Sequence, residues 1–212
     1  MERERPLLIG LTGGIASGKS TLGELFRQHG ARLISADQLG RELLAPGAEG
    51  AGLLRLHFGD RFFADDREID RIGLRRAIFA EPELRRKLDS LLHPLIRKRI
   101  FELLARSGRI PDEAVLSPVF RGVVVEVPLL FEAGWQDDFD LVVVVRTDDQ
   151  QSLERLRQRD GVSRAEAEAA ISAQMPLSEK IARADYVIDN RGSLEETARQ
   201  VSELIVRLRD TS

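Results

Sequence analysis

Gly13-Gly14-Ile15-Ala16-Ser17-Gly18-Lys19-Ser20-Thr21 directly follows the apolar run Leu7-Leu8-Ile9-Gly10-Leu11 and leads into the stripe Leu22, Leu25, Phe26. A buried strand, a tight loop and a helix in this order decide the fold. The loop fits G-x-x-x-x-G-K-S/T with Gly13, Gly18, Lys19 and Ser20. Its glycines let successive backbone N–H groups converge on one anion, and the helix that starts there adds its positive end. Lys19 can reach terminal phosphates and the Ser20 hydroxyl can ligate Mg²⁺. The chain therefore carries a nucleotide-phosphate cradle.

Working outward, four further apolar runs read as buried strands: Arg32–Ile34, Val123–Val127, Leu141–Val145 and Tyr186–Ile188. Near-continuous β-branched residues suit strands covered by helices on both faces. Strands alternating with helices imply an α/β protein with a five-stranded parallel sheet in a three-layer α/β/α arrangement. About ninety residues separate the second and third runs, far more than a crossover needs. Most are amphipathic and helical: Leu53–Phe58, Leu74–Phe79, Leu84–Leu92 and Leu95–Leu104, with a turn at Pro46-Gly47 and a break at His93-Pro94. Residues 38–105 thus read as a helical insert into a core of 1–37 and 106–212. Ser107–Gly122, with Pro111 and Pro118, reads as a long connection. Asp148–Gln174 reads as two helices broken near Gly161, bearing Arg155, Arg157, Arg159 and Arg164, in the manner of a lid that closes over a nucleotide. Ser193 is the expected N-cap of a final helix carrying Leu194, Ala198, Val201, Ile205 and Leu208.

The 212 residues suffice for one sizeable core and a small appended unit. A net charge of −3 gives no electrostatic case for nucleic acid as a ligand. No apolar run approaches a membrane span, and Met1–Pro6 lacks the apolar core of a secretory leader, so a cytoplasmic location is expected. The absence of cysteine excludes disulfides and thiolate metal sites.

In a doubly wound sheet, residues just beyond the carboxyl ends of the strands face one crevice. These are Ser35-Ala36-Asp37, the stretch from Glu126 to Glu132, Arg146, and Asp189–Gly192. Asp37 is the candidate for handling an acceptor hydroxyl; an N-cap of the following helix would also account for it. Glu126 is a candidate to hold a Mg²⁺-bound water. Arg155 and Arg159 share a helical face and could meet one phosphate, unless Glu154 and Asp160 engage them locally. Arg97-Lys98-Arg99 reads as a solvated face. Asp37-Gln38-Leu39-Gly40 matches D-x-x-G, but the lone asparagine, Asn190, precedes Arg191, so no guanine-reading N-K-x-D exists. The pattern points to a small-molecule kinase. A nucleotide-gated switch protein is the alternative from another class, and would lack a hydroxyl-handling acid or a lid.

Several segments together resemble the dephospho-CoA kinase family. They are Gly10–Ile15 and the loop after it, Ala36-Asp37, Pro46-Gly47, His57-Phe58-Gly59, Asp70-Arg71, Leu92-His93-Pro94, Val127–Glu132, Arg155 with Arg159-Asp160, and Ala184–Asn190. The resemblance runs from about Leu8 to Asn190. It implies a P-loop core, an inserted helical subdomain for the acceptor, an arginine lid at 148–174, and transfer of the ATP γ-phosphate to the ribose 3′-hydroxyl of dephospho-CoA. It implies ATP contacts at Gly14, Ala16, Ser17, Gly18, Lys19, Ser20 and Thr21, with Asn190 near the adenine. Acceptor contacts fall to Thr12, Asp37, Arg71 and His93; catalysis to Asp37, Lys19, Arg155 and Arg159; Mg²⁺ to Ser20 and, through water, Glu126. The expected partners are small molecules, not nucleic acid or a membrane. Another nucleoside or nucleotide kinase is the nearest alternative. Three departures stand out: Ala16 replaces a usual glycine and fits only if its φ is negative, Ser35 replaces the first aspartate of Asp-Ala-Asp, and Ser107–Gly122 is long.

Overall fold

The computed structural model describes residues 6–64, 68–106 and 120–210. The chain divides into two compact units, one of Met1–Ser35 with Ile110–Ser212 and one of Ala36–Arg109.

The first unit is built on a parallel sheet of β1 (Leu7–Gly13), β2 (Arg32–Ser35), β3 (Gly122–Glu126), β4 (Leu141–Arg146) and β5 (Tyr186–Asp189), in the order β2-β3-β1-β4-β5. All five fall where the apolar runs place them. β1 is central and buried along its whole length. In register, Leu11 faces Glu126 and Glu126 faces Ser35, so the ends of β1, β2 and β3 lie side by side. One sheet face packs against α1 (Lys19–Gln28) and α9 (Leu194–Asp210). Ile9, Leu11, Val143 and Val145 there meet Leu22, Phe26, Val201 and Ile205, none more than 1% exposed. Burying side chains of this size contributes about 1.5–3 kcal/mol each. α9 starts with a capping box: the Glu196 N–H donates to Ser193 Oγ at 3.2 Å, and the Ser193 N–H to Glu196 Oε2 at 2.8 Å.

On the other face the segment after β3 presses on β1. A Cβ at Gly10 would sit 2.6 Å from Leu130 Cδ1 and 2.9 Å from the Phe139 ring, so only glycine admits this approach. Beyond β4 come α6 (Asp149–Asp160), α7 (Arg164–Ser172) and α8 (Leu177–Ala182). The break at Gly161 is a left-handed C-cap with φ 66°, and α7 opens with the capping box Ser163/Glu166.

The second unit holds α2 (Ala36–Leu43), α3 (Glu49–Phe58), α4 (Arg71–Ala80) and α5 (Pro82–Arg106), with α2, α3 and α4 packed on α5. Gly47, at φ 79°, makes the turn between α2 and α3. The break expected at His93-Pro94 does not occur: α5 runs through Pro94. Proline inside a helix costs about 3 kcal/mol. Here Leu84, Leu88, Leu92, Ile96 and Ile100 form an unbroken i, i+4 stripe, each at most 9% exposed, and their shared burial outweighs that cost. Of the Ser107–Gly122 connection, residues 107–119 lie outside the described residues. No helix among the described residues is long and apolar enough to cross a membrane.

Candidate active site

The phosphate loop joins the end of β1 to α1. The Ser17 N–H donates to the Gly14 carbonyl at 3.3 Å, and Gly18, at φ 90°, is the N-cap of α1. No side chain caps this helix. Its first amides are thus available to an anion, which the positive end of the helix favours. Lys19 is only 8% exposed and folds back, donating from Nζ to the Gly14 carbonyl at 2.7 Å. Ser20 Oγ donates to Glu126 Oε1 at 3.0 Å. The hydroxyl from the loop and the carboxylate from the end of β3, both expected at the metal, are therefore in contact. Among the described residues no cluster of three or more histidines, cysteines or carboxylates forms a metal cage of its own.

Ala16 corrects an expectation: its φ is +55°, in the left-handed region. An L-residue there costs about 1–2 kcal/mol. The compensation lies in α6 and α7. Ile15 and Ala16 pack against the buried cluster Leu153, Leu156, Ala167 and Ala170, and the Ile15 N–H donates to Gln174 Oε1 at 2.9 Å. The loop is thus shaped from outside as well as by its glycines. Ser17 is fully buried, and its Oγ has no hydrogen-bond partner among the described residues.

Asn190, just past β5, is 8% exposed. Its Nδ2 donates to the Ser17 carbonyl at 2.8 Å, and its Oδ1 accepts the Thr197 hydroxyl at 3.0 Å. A Cβ at Gly18 would collide with that amide nitrogen. Asn190 therefore braces the loop from behind. Thr12 is likewise fully buried, with its hydroxyl donating to the Pro128 carbonyl at 3.2 Å.

The arginines of α6 divide. Arg155 is exposed, and Glu154, its candidate local partner, accepts from Gln150 Nε2 at 2.6 Å. Arg159 lies against its neighbour, with Nε and Nη2 at 2.9 and 3.0 Å from the two Asp160 oxygens. The local alternative thus describes Arg159 in this structure.

In the second unit, Asp37 is exposed and is the second residue of α2, inside the first turn rather than at the cap before it. A carboxylate there is favoured by the helix dipole and needs no cap role. Arg71 is exposed at the start of α4, where Asp70 is the N-cap and accepts the Gly73 N–H at 2.9 Å. His93 lies on α5 with Nε2 3.8 Å from Asp89 Oδ1. Burial lowers the His93 pKa, the Asp89 carboxylate pulling against it and the Arg85 charge adding to it; burial raises Asp89.

Residues 174, 180 and 132 escaped the sequence reading as functional positions. Lys180 is fully buried and ion-paired with Glu132 at 2.8 Å. A lone lysine in a short amphipathic stretch looks like a surface residue. Only Glu132, beyond the end of β3, carried a positional signal.

An all-parallel sheet with β2 and β3 on one side of central β1 and β4 and β5 on the other, with an uncapped helix, a lysine and a hydroxyl–carboxylate pair at its carboxyl edge, defines a P-loop nucleotide-binding protein. The dephospho-CoA kinase family model matches residues 7–196. Dephospho-CoA kinase of Syntrophotalea carbinolica is 43% identical over 205 residues, covering 95% of this chain and 92% of that protein. That of Geobacter metallireducens is 43% identical over 198 residues, covering 93% and 94%. Among solved structures, TT1252 from Thermus thermophilus superposes with a TM-score of 0.77 at 32% identity, covering 96% of this chain and 98% of that one. Shikimate kinase from Bacteroides thetaiotaomicron shares the fold at 17% identity and a TM-score of 0.51, covering 94% and 98%. The chain belongs to the dephospho-CoA kinase family.

Proposed function

We propose that this chain transfers the γ-phosphoryl group of ATP to the ribose 3′-hydroxyl of dephospho-CoA, giving CoA and ADP, the last step of coenzyme A synthesis, in the cytoplasm. The observation that carries this reading is the Ser20–Glu126 contact beside the uncapped start of α1. It sets oxygen donors next to amides that can hold a triphosphate.

The loop amides of Gly14 and of Ala16 to Thr21 take the phosphates, the Ile15 N–H being held by Gln174, and Lys19 leaves the Gly14 carbonyl to meet them. Mg²⁺ suits the all-oxygen donors: Ser20 Oγ would hold it directly and Glu126 through water, the rest coming from phosphate and solvent. Held there, the ion would supply charge neutralisation to the transferring phosphoryl group. Asp37, two residues beyond β2, orients the acceptor hydroxyl and takes its proton late, as a loose transition state requires. Arg155, and Arg159 once drawn from Asp160, offset charge on the transferred group. The helical insert 38–105, with Arg71 and His93, holds the long anionic acceptor. Thr12 supports that side through its bond to Pro128.

Purified protein with ATP, Mg²⁺ and either dephospho-CoA or nucleoside monophosphates tests this. Product one phosphate heavier than dephospho-CoA is expected. Faster transfer to a nucleoside monophosphate overturns the acceptor, and ATP binding without transfer to any acceptor favours a nucleotide switch.

A further inference from the structure

Beside the phosphate loop the fold buries a lysine that the proposed chemistry does not use. Lys180, in α8, has no solvent exposure; its Nζ is 2.8 Å from Glu132 Oε1 and 3.0 Å from the Pro128 carbonyl. A charge out of water is costly, and an ion pair so placed is often no more stabilising than apolar side chains of like volume. What distinguishes this pair is what it joins. The Pro128 carbonyl also accepts the hydroxyl of Thr12, the residue that leads into Gly13. Glu132 Oε1 also accepts the Met175 N–H at 3.0 Å. The preceding residue, Gln174, holds the Ile15 N–H of the phosphate loop at 2.9 Å. Arg183 adds a fastening between the same segments, 4.5 Å over the Phe131 ring. The Lys180 ammonium thus fastens α8 to the loop after β3, and its two partners in that loop hold the exit of β1, through the Pro128 carbonyl, and the return arm of the α6–α7 hairpin, through Glu132.

We propose that Lys180 is a positioning residue for phosphoryl transfer: through Glu132 and the Pro128 carbonyl it sets where Gln174 and the arginine-bearing helices stand relative to the phosphate loop. This rests on the kinase reading and deepens it. Without the ammonium, the partly exposed Glu132 carboxylate turns to water, the Met175 N–H loses its acceptor, and the arm from 174 to 180 slackens. ATP still binds, because its phosphates are gripped by the loop amides and Lys19. The arginines lose their aim, and a misplacement of about 1 Å can cost on the order of a hundredfold in rate.

The test uses the full chain with Lys180→Met/Glu132→Gln, which removes both charges together, and separately Gln174→Ala, which spares the pair. Turnover, ATP affinity by calorimetry and hydrogen exchange over residues 164–180 are measured on each. Expected are a fall in kcat of about tenfold or more for the double variant and about threefold for Gln174→Ala, with ATP Kd within about threefold. Exchange over 164–180 is faster in both variants. The proposal is overturned if the folded double variant keeps kcat within about twofold, or if ATP affinity falls as far as kcat. If the double variant does not fold, unchanged kcat and exchange in Gln174→Ala overturn it. Exchange and ATP affinity need no acceptor, and the parent protein alone tests the acceptor assignment. A wrong acceptor is therefore distinguished from a wrong linkage.

Discussion

Replacing Asn190 by alanine should loosen the phosphate loop from behind, and the structure sets the size of the effect. Asn190 gives one hydrogen bond to the Ser17 carbonyl at 2.8 Å and takes one from the Thr197 hydroxyl at 3.0 Å. Thr197 also donates to the Ser193 carbonyl at 3.1 Å, so its hydroxyl keeps a partner. The Ser17 carbonyl loses this donor inside a fully buried residue. A stranded buried acceptor costs about 1–3 kcal/mol; with the small void left by truncation, Asn190→Ala should lose about 2–3 kcal/mol. At this chain length that is a fall of roughly 5–10 °C in Tm. Asn190→Asp should fall further, because a carboxylate oxygen then faces the carbonyl oxygen. Thermal and urea melts measure stability, and nucleotide titration should show several-fold weaker binding. A Tm within about 1 °C of the parent would refute the bracing role. So would weaker nucleotide binding with melting unchanged, which would move Asn190 to the base.

Three further outcomes are expected. Glu126→Gln or Ser20→Ala should weaken binding of Mg²⁺–nucleotide about tenfold while sparing metal-free nucleotide, read by titration with and without EDTA; equal loss in both would remove the pair from the metal. Ala16→Gly should leave stability within about 0.5 kcal/mol, relief of the positive φ offsetting chain entropy and a lost methyl contact, whereas Ala16→Val should cost about 2 kcal/mol or more by urea melts. His93, whose pKa burial lowers, is neutral in the folded chain where it is charged in the unfolded chain. Its contribution is whole above its ordinary range and is lost as pH falls through the window below about 6.5. Asp89, raised by burial, acts in the opposite sense at lower pH. Urea melts across this window should show a loss that His93→Gln reduces, and identical pH profiles would contradict the burial effect.

The sheet was legible because parallel strands buried on both faces leave unbroken apolar runs, as at Val123–Val125 and Leu141–Val145. The phosphate loop was legible because its glycines answer a local backbone demand. Tertiary compensation was not. Pro94 reads locally as a helix stop, yet the apolar stripe of α5 carries the helix through it. Ala16 reads as needing a negative φ, but packing on α6 and α7 and the Gln174 bond to Ile15 hold it in the left-handed region. Lys180 was invisible for the same reason, since its partners Pro128 and Glu132 lie far away in sequence. Ser20 is legible from the G-x-x-x-x-G-K-S/T pattern, and Glu126 from its place at the carboxyl end of an apolar strand. Their direct contact needed the register of β1 with β3.

The proposed transfer turns on a carboxylate just beyond β2 handling the acceptor of a phosphoryl group held by the loop. Single-turnover transfer from ATP to dephospho-CoA by Asp37→Asn, measured beside its ATP Kd, tests this most directly. Expected is a rate lower by about a hundredfold or more with ATP affinity within about threefold of the parent. A rate within about threefold of the parent, or equal losses in rate and affinity, would contradict it.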